Sequence, residues 1–171
     1  MAAAVRRTIA KEAALSGIGL HTGIRTRVSC RPGRSEQGIV FRRTDLPGAP
    51  EIRAQVSEVS ETARRTVLGH GPAAIHTVEH LLASVAALEL DDLLIELDGP
   101  EPPILDGSFA PYLDLLEGAG TETLAGTPAQ FRICQPFTLR TGDASYQVSP
   151  AAGLRLTTTI EWKHPLIGRQ T

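Results

Sequence analysis

Residues 24–31 alternate strictly, with Ile24, Thr26, Val28 and Cys30 on one side and Arg25, Arg27, Ser29 and Arg31 on the other. A period of two is the mark of a strand with one buried and one solvated face. From His76 the period changes: Val78, Leu81, Leu82, Val85 and Ala86 recur at steps of three and four and form one apolar stripe of a helix. A chain that carries both periods in separate blocks is neither all-helical nor all-β, and an α+β class follows.

The remaining pattern fills in that class. Further short strands are expected at 38–43, 51–56 and 63–68, with Leu46-Pro-Gly-Ala-Pro50 as a turn, and a buried strand at 93–97. Pro100, Pro102 and Pro103 make the segment after it irregular, since proline denies both a helix interior and a central strand. A second helix is expected with Ser108 as N-cap and Pro111 in its first turn, burying Phe109, Tyr112, Leu113 and Leu116 and ending near Gly118 or Gly120. Residues 121–129 are small and polar and read as a linker. A hairpin turn at Thr141-Gly-Asp143 and a strand over 153–162, with Leu154, Leu156, Thr158, Ile160 and Trp162 on one face, follow it. The expected organisation is a first domain over 1–125, a β-sheet packed on two helices, and the initial strands of a second domain over 126–171.

Composition narrows the function. The 171 residues carry 17 basic and 19 acidic side chains, a net charge of −2, so there is no broad positive field to gather nucleic acid or an anionic membrane. Any substrate must be recognised locally. Cys30 and Cys134 stand far apart in no CxxC spacing, and two buried small hydrophobes in a reducing compartment are expected. The N-terminal stretch lacks the apolar run of a signal peptide, and the longest apolar stretch, near 81–88, is too short to span a bilayer, so the expected location is cytoplasmic.

The segment His76-Thr-Val-Glu-His80 carries the most chemistry. Two histidines four residues apart on a helix share a face, which suits either a divalent metal or two solvated imidazoles. The HExxH pattern of zinc proteases is absent, because Glu79 precedes His80 directly and Ser84 occupies the later position. With His80 on a metal, Glu79 would take a proton from an activated water; without one, its charge would favour a helix N-terminus. Ser16-Gly-Ile-Gly-Leu-His-Thr-Gly23 is a glycine-rich turn where amides and His21 would meet a ligand, or simply a tight turn. Asp106, ahead of Gly107 and Ser108, is read as ordering a turn.

Taken in order, Ser16-Gly-Ile-Gly-Leu-His-Thr-Gly23, Phe41-Arg-Arg-Thr-Asp-Leu46, Thr77-Val-Glu-His80 and Pro102-Pro-Ile-Leu-Asp-Gly-Ser108 resemble the UDP-3-O-acyl-N-acetylglucosamine deacetylases. These are zinc amidases of lipid A synthesis in Gram-negative bacteria. The resemblance extends through Trp162-Lys-His-Pro-Leu-Ile-Gly-Arg-Gln170 and so covers essentially the whole chain. It implies Zn2+ as cofactor, His80 as one zinc ligand, Glu79 as the general base, and Leu20, His21 and Thr77 as residues at the substrate. It gives His76 no metal role, which sets aside the paired-histidine reading.

The resemblance also implies what is missing. The family's other two zinc ligands, in an HKxxD pattern, its general-acid histidine and its oxyanion threonine belong to a second domain, and none has a counterpart after His80. The chain is therefore expected to fold over its first 125 residues and to be inactive alone. Its expected partners are the UDP-sugar substrate and the missing second domain, or a second copy through the surface that domain would cover. The alternative is a non-catalytic single-domain paralogue that binds a UDP-sugar or a protein.

Overall fold

A computed structural model describes residues 5–171. Residues 1–4, part of the stretch read above for a signal sequence, lie outside the described residues. Contacts divide the chain into two compact units, one running to Pro128 and one from Ala129 to Thr171.

The first unit contains β1 (Arg6–Ile9), β2 (Ala13–Ile18), β3 (Arg25–Pro32), β4 (Ile39–Arg43), β5 (Glu51–Arg53), β6 (Val59–Glu61), β7 (Val67–Leu68), α1 (Glu79–Ala87), β8 (Leu93–Leu97), α2 (Ala110–Ala119) and β9 (Thr121–Leu124). Five of the strands form one mixed sheet in the order β2-β3-β8-β4-β5, with β4 and β8 parallel and the other neighbours antiparallel. This is the α+β arrangement that the two periods predicted.

Register explains the core. Cys30 pairs with Ile95, Ile95 with Phe41 and Phe41 with Ile52, so one row of apolar side chains crosses four strands. All four are buried, and Val78, Leu81 and Val85 of the α1 segment and Tyr112 and Leu116 of α2 join the same core. Because side chains alternate, a one-residue slip would turn this row to solvent. The opposite face is charged: Arg31 pairs with Glu96 at 2.8 Å, Glu96 with Arg42 at 2.9 Å and Arg42 with Glu51 at 2.5 Å. Ion pairs at such a face contribute little each, on the order of 0–1 kcal/mol, and the buried row carries the stability.

Arg43 keeps the alternation but puts a charged side chain on the core face, with a consequence for the site. It is buried on the core side of β4, and its guanidinium donates to both carboxylate oxygens of Asp45 at 2.8 Å, to the Ala74 carbonyl at 2.9 Å and to the Pro72 carbonyl at 3.2 Å. It thereby fastens the segment that leads into α1. Arg43→Met is expected to cost about 1–3 kcal/mol, because it strands buried acceptors. Urea unfolding of the variant measures the loss, and a change within experimental error would contradict the anchoring.

Several boundaries differ from the sequence reading. The helix expected from His76 begins at Glu79, because Thr77 adopts φ +55° and Ile75 is bridged to Leu68 in extended form. Residues 121–129 are not all linker: β9 pairs with β1 from Arg6↔Leu124 to Ile9↔Thr121. The strands expected at 51–56 and 63–68 shrink to β5 and β7. Phe109, not Ser108, is the residue before α2, and it is exposed; Gly120, at φ +68°, ends that helix.

The second unit contains the hairpin of β10 (Phe137–Thr141) and β11 (Ala144–Val148), turning at Gly142 with φ +53° as its sequence predicted. It also contains the short pair β12 (Ile160–Glu161) and β13 (Arg169–Gln170). The strand expected over 153–162 is reduced to β12. Leu154 and Leu156 are 90% and 81% exposed, and an alternating pattern without a surface to bury against does not hold a strand. Both cysteines are free; Cys30 is buried, with burial pushing its thiol up to about 12, while Cys134 is exposed, contrary to expectation. No helix among the described residues is long and apolar enough to cross a membrane.

Candidate active site

Two segments converge on one buried carboxylate. The chain leaves β2 and turns at residues 19–24, closed by Gly19 N–H to the Ile24 carbonyl at 2.9 Å and Gly23 N–H to the Gly19 carbonyl at 3.1 Å. Of the two glycines in this turn only Gly23 takes a positive φ, +65°. Gly19 is required for room instead, because an added Cβ would lie 2.5 Å from Glu101 Oε2. Glu101 itself is fully buried and accepts from His21 N–H at 3.1 Å, Thr22 N–H at 2.8 Å, Thr22 Oγ1 at 2.8 Å and Thr77 Oγ1 at 2.6 Å. Burial alone would push this carboxyl up; the hydrogen bonds from Thr77, Thr22 and His21 outweigh it and hold it below its usual range.

The proline segment is tied down on both sides of Glu101. The Pro100 carbonyl accepts from His76 N–H at 2.9 Å, and the Pro103 carbonyl accepts from the buried Tyr112 hydroxyl at 2.5 Å. Ser84, also buried, donates from Oγ to the Phe109 carbonyl at 3.0 Å and so links α1 to the start of α2. Asp106 accepts from Ser108 N–H at 2.8 Å and from its hydroxyl at 2.9 Å, ordering the turn as its position before glycine predicted.

The candidate residues divide by exposure. Leu20, at 58%, and His21 are exposed on the glycine-rich turn. Thr77 is buried and its hydroxyl is committed to Glu101. Glu79 and His80 are half-buried at the first two positions of α1, where Glu79 Oε2 accepts from Thr66 N–H at 3.0 Å. The Asp106 carboxyl is held below its usual range chiefly by the hydrogen bonds it accepts from Ser108. His76 lies ahead of the helix, so the two histidines do not share a helical face. Burial, and then Arg65, pushes the His76 imidazole down, and among the described residues its buried Nδ1 has no partner.

Sequence reasoning missed Glu101. The only signal was an acidic side chain held between Pro100 and Pro102, in a segment too rigid to carry it out to solvent. No three His, Cys, Asp or Glu side chains among the described residues come together to hold a metal ion. His80 fits as a single ligand, and a catalytic zinc takes about three from the protein.

The family description "UDP-3-O-acyl N-acetylglycosamine deacetylase", LpxC, matches residues 6–171. The chain belongs to this family. It is 39% identical to the UDP-3-O-acyl-N-acetylglucosamine deacetylase of Myxococcus xanthus over 97% of its own length and 53% of the relative's. The deacetylase of Bdellovibrio bacteriovorus is 39% identical over 98% of the chain and 55% of the relative. That of Nitratidesulfovibrio vulgaris is 40% identical over 96% and 53%. The chain thus spans about half the length of the curated LpxC relatives it matches.

Proposed function

We propose that this chain supplies the base-bearing half of a zinc-dependent deacetylase that hydrolyses the N-acetyl group of a UDP-3-O-acyl-N-acetylglucosamine in lipid A synthesis. The observation that carries the reading is the family match over residues 6–171, together with Glu79 and His80 side by side at the start of α1. His80 would hold the zinc with ligands from outside the described residues. When bound, that ion polarises the amide carbonyl and makes the attacking water more acidic.

Glu79 accepts the water proton; Thr66 N–H binds its Oε2, and among the described residues no hydrogen bond engages Oε1. The proton for the departing amine would come from the general-acid histidine that the resemblance places in the second domain. Leu20 and His21, exposed on the turn that Glu101 holds, face the substrate. Thr77 contributes by fixing that turn to the helix start. Residues 126–171 open the second domain, and the reaction belongs to the cytoplasm.

One imidazole does not hold zinc against water, so the chain alone is proposed to be inactive. After incubation with zinc and gel filtration it is expected to retain no stoichiometric metal by atomic absorption, and to release no acetate. Stoichiometric zinc together with turnover would refute the divided site.

A further inference from the structure

We propose that Glu101 is the positioning residue for Glu79 and His80: by binding the Thr77 hydroxyl and the His21–Thr22 turn at once, its carboxylate fixes the substrate-facing turn and the start of α1 in one frame. The inference rests on the functional reading above for the roles of Glu79 and His80, and on geometry for the rest.

Thr77 is the pivot. A β-branched residue at φ +55° is a steric outlier that persists only where its surroundings hold it, and its hydroxyl reaches Glu101 at 2.6 Å. Two residues later the helix begins with Glu79. The direction in which Glu79 and His80 leave the backbone therefore depends on a strained residue whose side-chain hydrogen bond goes to Glu101.

Glu101 is not itself a base or a ligand. An ionised carboxylate offers about four acceptor sites, and His21 N–H, Thr22 N–H, Thr22 Oγ1 and Thr77 Oγ1 take them up in a place closed to solvent. A buried charge is a poor device for stability alone, since desolvation opposes it. Here it joins two segments of distant sequence, 19–24 and 76–80, that no strand pairing connects.

The Thr66 amide supplies a readout that needs neither metal nor turnover, because it reports the place of the Glu79 carboxylate and does not touch Glu101. In Glu101→Gln and, separately, Thr77→Val, amide exchange at Thr66 is expected to quicken about tenfold or more, and the His80 ring resonances to shift at constant pH. Thr77→Ser, which keeps the hydroxyl, should restore both signals. The double variant should do no more than either single one, as for two members of one network. Should Glu101→Gln fail to fold, Thr77→Val still decides, since it removes one link and leaves the carboxylate in place. Unchanged Thr66 and His80 signals in folded Thr77→Val would overturn the inference. These signals are independent of catalysis: if they move while Glu79→Gln in the complete enzyme retains full activity, the functional reading fails and the positioning stands.

Discussion

Replacing Glu79 with glutamine in the catalytically complete protein is expected to lower kcat about 100- to 10,000-fold, the usual contribution of a positioned general base. Glutamine keeps the shape of the side chain and its carbonyl oxygen still accepts from Thr66 N–H, so the start of α1 is preserved. What it cannot do is take a proton from water. The loss should fall on kcat, with substrate binding little changed, because the reading gives Glu79 no contact to the sugar or the nucleotide. Steady-state acetate release, with a thermal melt to show an unaltered fold, is the measurement. A variant within threefold of the parent would remove Glu79 from the mechanism.

Asp92→Ala is expected to cost about 3–5 kcal/mol, the loss that follows when one partner of a buried pair is removed. Asp92 is fully buried and receives both arms of Arg6, at 2.7 and 2.8 Å, and the Gly38 amide at 2.7 Å. Alanine would leave a guanidinium that is itself buried without its counter-charge, at the point where β1 is fastened to the approach to β8. Against a total of about 5–15 kcal/mol for a native protein, that is enough to populate unfolded chains. Urea unfolding followed by circular dichroism measures it, and a cost near that of an exposed pair would show the site to be solvated.

The same pair sets the acid limb of stability. Burial works against the Asp92 carboxylate, but the hydrogen bonds from Arg6 and Gly38 outweigh it and bring it below its usual 3.8. Glu101 is likewise held below 4.5. A carboxyl whose folded value is depressed contributes stability that is full above the unfolded value and is lost as pH falls through the folded one. Stability is therefore expected to be level in these two groups above about pH 5 and to drop below it, and Asp92→Asn should flatten part of that drop.

How much of this was legible in the sequence depends on where each pattern comes from. β3 was readable because Val28 and Cys30 face one core, with Thr26 buried on the same side, although Ile24 of the same pattern precedes the strand and is exposed; α1 was readable because Val78, Leu81 and Val85 face that core. The pairing of β1 with β9 was not, since its partners are separated by nearly the whole first unit and neither strand alternates on its own. The start of α1 was misplaced by three residues because Thr77 is left-handed, with its hydroxyl bound to Glu101, and such a residue leaves no trace in a helical period. At the site, Glu79, His80 and the Asp106 turn stood out as polar groups in apolar or glycine-rich settings. Glu101 did not, because its importance lies in partners about 25 and 80 positions away.

In the proposed function this chain holds the base and one metal ligand of a divided deacetylase site. Acetate release from UDP-3-O-acyl-N-acetylglucosamine, with zinc, by the chain alone and by the chain joined to the remaining half of the Myxococcus xanthus relative, tests it most directly. No release is expected from the chain alone, release is expected from the joined protein, and Glu79→Ala should abolish it. Equal release by the chain alone, or release by the joined protein that survives Glu79→Ala, would contradict it.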